Sequence, residues 1–138
     1  MLIRAIITLI VLVAALSGYS RAEAGGAEAL LDGLVFVGHN GPRGKSLDGN
    51  DEIIFRNGRF RSVSCNNWEF DSAVYSATQE DDGVHFQAVT TSPKYGQIKW
   101  QGVVKGELIE VTYLWTMRRW YWFDAHEERW FQGRLKRE

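Results

Sequence analysis

The chain has 138 residues, of which 45% are hydrophobic and 13% aromatic, and its 16 basic and 17 acidic side chains leave a formal net charge of −1. This length fits one small domain, so a two-domain enzyme with a cleft between its halves is not expected. The near-neutral charge argues against a nucleic-acid binder, which needs a basic face. The aromatic content excludes a disordered chain.

The N-terminal segment has the organisation of a secretory signal peptide. A basic start is followed by an apolar run at residues 5–16, which is shorter than the ~20 residues that a helix needs to cross a bilayer. Ala22 and Ala24 fit the small-residue pattern of a cleavage site. We expect removal of residues 1–24, which leaves residues 25–138 as one exported domain, periplasmic or extracellular, with no stable membrane anchor. An uncleaved anchor is the alternative.

The rest of the chain has the pattern of an all-β domain. Short alternating or apolar runs are separated by Gly, Asp and Asn, without sustained helical periodicity. A helical turn is predicted at residues 27–31. Eight strands are predicted at residues 34–38, 51–56, 59–65, 74–79, 84–91, 96–104, 107–117 and 128–135.

Turn residues between these runs predict antiparallel hairpins. Asn57-Gly58 fits a type I′ turn, whose twist matches that of the flanking strands, and a two-residue loop there sets Phe55 opposite Phe60. Asp82-Gly83 and Lys105-Gly106 are predicted to form two further turns of this kind.

The hairpin at Lys105-Gly106 shows how the strands are expected to combine. A two-residue loop there sets Trp100 opposite Val111 on an apolar face. The opposite face is expected to be a solvated surface and carries Lys99, Gln101, Glu110, Thr112 and Thr116. Strands that are apolar on one side and follow one another through short turns predict an up-and-down meander, which removes its exposed edges by closing into a barrel.

The interior of an eight-stranded barrel is either filled by side chains or holds one small ligand. Large inward residues that face small ones are typical of a packed core. Hydroxyls and indoles inside the barrel need hydrogen-bond partners, which a polar ligand or trapped water would supply. Both interpretations stay open here. In a ligand-binding barrel the site is expected to be lined by Ser62, Tyr75, Phe86, Trp100, Tyr113 and Trp115.

Two segments carry a resemblance to known proteins. Leu31-Asp32-Gly33 leads into Phe36, and Trp130-Phe131-x-Gly133-x-Leu135 closes the last strand. With eight meandering strands between them, these segments resemble the small exported bacterial lipocalin-like, or calycin-type, β-barrel domains. The resemblance covers most of residues 25–138 and implies a barrel that binds a hydrophobic small molecule.

The polar segments of the sequence do not have the spacing of catalytic, metal or cofactor motifs. Residues 38–46 lack the Walker A spacing and are interpreted as part of a rim loop at 38–50, and residues 48–52 lack the pattern of a calcium loop. The three histidines, of which His85 is predicted to point outward, have no zinc-ligand spacing. The sequence therefore predicts a protein that is not an enzyme and has neither metal nor cofactor.

Residues 115–123 (WTMRRWYWF) form the most aromatic segment. Alternate residues of a strand point to opposite faces, so these rings cannot all point inward. On the surface they would form a protein-interaction site built from Arg118, Arg119, Trp120 and Trp122. The alternative is that they cap the open end of the barrel.

The single cysteine and a pair of neighbouring glutamates are expected to have structural rather than functional roles. Cys65 is the only cysteine and is expected to be buried, free or paired between chains. Glu127 and Glu128, beside Arg129, are expected to form surface ion pairs.

The sequence thus predicts an exported, non-enzymatic β-barrel that binds a small hydrophobic or aromatic molecule. The alternative is a periplasmic protein-interaction module, inhibitor-like, that uses the aromatic and arginine residues. The expected partner is a small apolar ligand or an envelope protein and not a nucleic acid.

Overall fold

Within residues 26–118 and 124–137, which this computed structural model describes, one short helix precedes eight strands. The helix α1 is Gly26–Leu31, and a 3₁₀ helix at Ser64–Trp68 lies between the third and fourth strands. The strands are β1 (Val35–Pro42), β2 (Gly49–Arg56), β3 (Arg59–Ser62), β4 (Ala73–Glu80), β5 (Gly83–Ser92), β6 (Gly96–Lys105), β7 (Leu108–Met117) and β8 (Ala125–Leu135).

The strands form one closed barrel. They follow one another in the order β1 to β8, each antiparallel to its neighbours, and β8 pairs with β1 to complete the ring. The predicted all-β antiparallel meander is therefore confirmed, and the architecture is compatible with the calycin type. The predicted signal peptide, residues 1–24, lies outside the described residues. Within the described ranges, no helix is long and apolar enough to cross a membrane.

The core of the barrel is aromatic. The ring of Phe55 contacts those of Phe36, Phe60, Tyr75 and Phe86 edge to face, at centroid distances of 4.9 to 6.2 Å. Each such pair contributes about 0.5–1.5 kcal/mol beyond the burial of its surface. This cluster fills the lower part of the barrel, where α1 and the turns β2–β3, β4–β5 and β6–β7 lie. The other connections lie at the upper end.

The predicted turn at Asn57-Gly58, between β2 and β3, is confirmed. Asn57 and Gly58 have positive φ angles of 53° and 72°, and Phe55 pairs with Phe60. The predicted Asp82-Gly83 turn is wrong by one residue. Gly83 is already the first residue of β5, and the loop consists of Asp81 and Asp82.

The β6–β7 turn lies one residue later in the sequence than predicted. The loop is Gly106-Glu107 because Gly106, with a φ of 59°, occupies the first central position, where a type II′ turn places glycine. Trp100 consequently pairs with Tyr113 and not with Val111. The predicted register is wrong by two residues. Every side chain keeps its predicted face, because side chains alternate with a period of two.

β1 is longer and β3 shorter than predicted. β1 continues to Pro42, with β2 as a neighbour as far as Asn40 and β8 as far as Pro42, so much of the predicted rim loop at 38–50 is strand. β3 ends at Ser62, and the chain then turns into the 3₁₀ helix. The carboxylate of Asp51 accepts the backbone N–H of Ser64 at 2.9 Å, which replaces a strand partner at that point.

The pairing of β1 with β8, which closes the barrel, includes two glycines at directly paired positions. Gly38 pairs directly with Gly133, and both lie on inward positions. A Cβ atom on Gly133 would lie 2.7 Å from the Phe131 ring and 2.8 Å from the carbonyl oxygen of Val37, and one on Gly38 would lie 2.5 Å from the Cα of Gly133. Side chains do not approach atoms so closely, so the pairing of β1 with β8 requires glycine at both of these positions.

The pairing of β3 with β4 is the least extensive in the barrel. It covers two positions, whereas β6 and β7 pair over nine. Helix α1 packs where β4 continues beyond the end of its pairing with β3. The side-chain carboxylate of Glu28 accepts a hydrogen bond from the backbone N–H of Ala77 at 3.1 Å. The backbone carbonyl of Glu28 accepts one from the hydroxyl of Tyr75 at 2.9 Å. Leu31, at the end of α1, is buried in the core.

We expect Glu28→Ala to lower the free energy of unfolding by about 1 kcal/mol, because the Ala77 N–H loses its acceptor. Glu28→Gln keeps an oxygen acceptor and is expected to lose less than half as much. Urea denaturation followed by circular dichroism measures both changes. Equal losses in the two variants would contradict the assigned hydrogen bond.

Candidate functional site

The six residues that were predicted to line an internal ligand site all lie on the inward face. Five of them are buried, and Trp115 is half-buried against the core. The rings of Trp100 and Tyr113 are stacked, with centroids 4.3 Å apart, and the ring of Phe60 lies 4.9 Å from that of Trp100. The side chains that would hold a ligand therefore pack against one another.

Five of these six residues have polar side-chain groups, and each of those groups already has a partner in the fold. The partners are Asp51 for Ser62, the Glu28 carbonyl for Tyr75, Thr90 for Trp100, Arg129 for Tyr113 and the Tyr95 carbonyl for Trp115. Within the described residues, no buried side-chain nitrogen or oxygen lacks a hydrogen bond. The hydrogen-bond demand that favoured an internal ligand is met by the protein itself.

Arg129 organises the upper end of the barrel interior. It alternates with the fully buried Phe131 along β8, and its side chain is 19% exposed. Its Nε donates to the Tyr113 hydroxyl at 3.1 Å, and its Nη2 donates to Asn40 at 3.2 Å. Ion pairs with Asp48 and, at 2.9 Å, with Glu127 complete the network. The predicted ion pairs of the exposed Glu127 and Glu128 are present, with Arg129 and Arg43 respectively, but Arg129 itself lies on the inward side of β8.

This network shifts the ionisation of its members. Burial alone would lower the pKa of Arg129, but its hydrogen bonds with Asp48, Tyr113 and Glu127 together raise it. Burial raises the pKa of Tyr113 to about 12, although the hydrogen bond from Arg129 acts in the opposite direction. Both groups therefore keep their protons across the physiological range, and the network is fixed rather than poised for proton transfer.

Cys65 lies beside the same cluster. It is free and half-buried in the 3₁₀ helix. Burial raises the pKa of its thiol, and the carboxylate of Asp51 adds to the rise, against a smaller opposing effect of the hydrogen bond with Ser62. A thiol with a raised pKa is a weak nucleophile at neutral pH.

The outer face of β4–β8 carries side chains that are ordered by the strand register. One row crosses five strands through directly paired positions, and we call it the neutral row because none of its members is charged. The neutral row consists of Ser76, Gln87, Gln101, Thr112 and Trp130. Charged residues lie in the rows on either side of it, among them Lys99 and Glu128 above and His85 and Glu110 below.

A long groove runs over this face. The space over its upper part is about 1130 Å³ and over its lower part about 550 Å³, both are open to solvent, and the five residues of the neutral row line both parts. Val74 and Val89 add exposed apolar surface to the upper part. Strands in a barrel are twisted and tilted, which gives the outer surface its concave stretches. We therefore identify this groove as the candidate functional site.

Trp130 is held in a fixed position at one end of the neutral row. Its indole N–H donates to the carbonyl of Lys45 at 3.1 Å, and its Cζ2 would lie 3.0 Å from a Cβ atom on Gly41. Glycine at that position lets the indole lie against β1. Trp130 also lines the groove, so the site includes an aromatic residue at one end.

The sequence placed part of this face correctly but did not identify the groove. Gln101 and Thr112 were expected on a solvated surface, and they are exposed there. The available signal was the run of uncharged polar residues at outward positions of consecutive strands. It becomes a row only when the register is known, and the predicted register of β6 and β7 was wrong.

The four residues predicted as a protein interface fall largely outside the described ranges. Arg118 is described and exposed, directly after β7. Arg119, Trp120 and Trp122 are not among the described residues. The interface therefore stays a prediction.

His85 points outward as predicted, and it lies at the lower rim of the groove. Its Nε2 is 2.5 Å from Asp82 and 3.3 Å from Glu80, in the β4–β5 hairpin. The hydrogen bond from His85 lowers the pKa of Asp82. These three groups are mutually paired at the surface, which is the ordinary arrangement of an exposed ion cluster.

Comparison of the chain with family models, with curated proteins and with solved structures gave no match. The calycin-like resemblance therefore extends to the architecture of the barrel alone. The site has to be interpreted from its own geometry.

We expect Arg129→Met to lower the free energy of unfolding by about 3 kcal/mol, because it leaves Asp48, Asn40 and Tyr113 without their donor. Arg43→Met is the matched control. It removes the exposed ion pair with Glu128 and is expected to cost below about 1 kcal/mol. Chemical denaturation of both variants measures the difference, and similar losses would mean that Arg129 does not organise the interior.

The raised pKa of Tyr113 predicts a loss of stability in alkali. An unfolded tyrosine has a pKa of about 10 and that of the folded residue is about 12, so the unfolded state releases its proton first. The contribution of Tyr113 to the free energy of unfolding is complete below pH ~10 and is lost as the pH rises through ~12. Urea titrations between these values are expected to show a shallower decline for Tyr113→Phe than for the wild type. Parallel declines would contradict the assignment.

Proposed function

We propose that the chain is a non-catalytic binding protein whose ligand occupies the groove on the outer face of β4–β8. The observation that carries this proposal is the contrast between the two sides of the sheet. The inward side is filled by stacked and hydrogen-bonded side chains, whereas the outward side carries a groove of about 1130 Å³ in its upper part. A concave site with a few convergent polar groups is the usual form of a ligand-binding site.

The rigidity of the strands beneath the groove supports the proposal. β5, β6 and β7 each have a hydrogen-bonded neighbour on both sides, over six to ten positions. Their outward side chains are therefore held at fixed spacing before any ligand arrives. A preorganised surface binds with a smaller loss of conformational entropy, which favours affinity.

The polar character of the groove refines the expectation from the sequence. Four of the five members of the neutral row carry hydrogen-bonding hydroxyl or amide groups, so a ligand with polar groups fits better than a wholly apolar one. That the protein is exported and is not an enzyme stays a prediction of the sequence. So does the alternative role as a protein-interaction module through Arg118, Arg119, Trp120 and Trp122.

Fragment screening by nuclear magnetic resonance tests the location of the site. Titration of small soluble fragments onto the isotope-labelled chain is expected to shift the backbone amides of the neutral row. Shifts centred on Ser62 and Trp100 would instead assign binding to the interior, and shifts centred on residues 115–123 would favour the interaction module.

Two glutamine variants provide the control. Gln101→Glu introduces a charge in the middle of the neutral row, and we expect it to weaken fragment binding about tenfold, or ~1.4 kcal/mol. Gln97→Glu makes the same change on the same strand outside the groove. It is expected to leave the affinity within about twofold of the wild type.

A further inference from the structure

We infer that the groove binds a neutral oligosaccharide, an inference that rests on the binding function proposed above. It follows from a row of uncharged hydrogen-bonding side chains that ends at a fixed indole. Chemistry, spacing and strand pairing each narrow the class of ligand.

The chemistry of the neutral row matches hydroxyl-bearing rings. Hydroxyl groups donate and accept hydrogen bonds, and so do the side chains of Ser76, Thr112 and the two glutamines. Within the described residues, Ser76 and Gln87 have no side-chain hydrogen-bond partner, and Gln101 has only a long contact of 3.4 Å with Thr112. Their donors and acceptors are available to a ligand.

Charges of opposite sign flank the two sides of the row. In the upper part of the groove Arg43 is paired with Glu128, and at the lower rim His85 is paired with Asp82 and Glu80. Among the described residues, Lys99 above the row and Glu110 below it have no ion-pair partner. Charges of both signs therefore flank a neutral centre. An anionic or cationic chain laid along the row would meet like charge at one side and no partner in the middle.

The spacing of the row suits a chain of linked rings. Neighbouring strands lie about 4.8 Å apart, so the backbone positions of the row recur at about that interval, and the row follows the curved outer wall of the closed barrel for about 19 Å. The interval is similar to the length of one pyranose ring in an extended glycan. Three or four rings would thus each meet one or two polar side chains.

Trp130 supplies the stacking surface. Its indole donates a hydrogen bond to the Lys45 carbonyl and packs over Gly41, and Trp130 lines both parts of the groove. A rigid aromatic ring buries the apolar face of a ligand at little entropic cost. The apolar carbon–hydrogen face of a pyranose is such a surface.

Strand pairing disfavours an extended peptide as the occupant. Peptides commonly bind a sheet by adding a strand to an open edge. β5, β6 and β7 are paired on both sides, so no backbone groups of theirs are available in the groove. Recognition there has to proceed through side chains.

The test is a titration of the full isotope-labelled chain with defined probes, in which nuclear magnetic resonance monitors the shifts of the backbone amides. The neutral probes are cellotetraose, maltotetraose and chitotetraose, each with its disaccharide. The comparison probes are tetragalacturonate and a capped, uncharged hexapeptide. We expect at least one neutral tetrasaccharide to shift the amides of the neutral row and to bind at least tenfold more tightly than its disaccharide.

Matched tryptophan variants locate the bound glycan. Trp130→Ala is expected to weaken tetrasaccharide binding at least tenfold. Trp68→Ala removes an exposed tryptophan on the 3₁₀ helix, outside the groove, and is expected to leave the affinity within about twofold. Thermal unfolding of each variant checks that it folds, and Gln101→Glu provides a second test if Trp130→Ala does not.

The outcomes separate this inference from the function on which it rests. If fragments bind the neutral row but no neutral glycan does, or only the peptide or the galacturonate binds, the oligosaccharide inference is wrong and the outer binding site stands. If neither fragments nor glycans shift the row, both are wrong. Glycan binding that is unaffected by Trp130→Ala and Gln101→Glu would also overturn the inference.

Discussion

The upper half of the barrel depends on one guanidinium group that lies inside it. All three nitrogens of Arg129 donate hydrogen bonds, and two carboxylates balance its charge. These bonds join β8 to β7 through Tyr113, to β1 through Asn40, and to the β1–β2 loop through Asp48. A buried charge is tolerated only with such complete pairing. The network therefore fixes how far apart the strands stand at this end.

The filled interior and the outer groove are two results of the same alternation. In β6 and β7 the side chains of Trp100 and Tyr113 point inward and stack, which sends Gln101 and Thr112 outward at paired positions. The packed core removes the space that an internal ligand would need, and it stiffens the sheet beneath the outward row. In a barrel of this size, a fully packed interior therefore makes the outer surface rigid and leaves no internal cavity.

Local signals predicted the parts of the fold that local chemistry decides. The positive φ angles at Asn57 and Gly58 follow from the residues themselves, so that turn and its register could be read from the sequence. Gly106 is compatible with two loop positions, and only the pairing of the whole hairpin selects one. The length of β1 depends on partners that are distant along the chain. Arg129 resembled a surface charge because its acceptors come from three other segments.

The glycine pair at the β1–β8 joint has a consequence for how the chain assembles. Gly38 and Gly133 come from opposite ends of the barrel sequence, whereas the other strand pairs join sequence neighbours. Closing a long loop costs more entropy than forming a hairpin, so the meander is expected to form before the ring closes. Until then β1 and β8 are open edges, and the position where Gly38 pairs with Gly133 carries no side chain on either strand. Such edges can pair with those of another copy, so slow closure exposes the chain to domain swapping and aggregation.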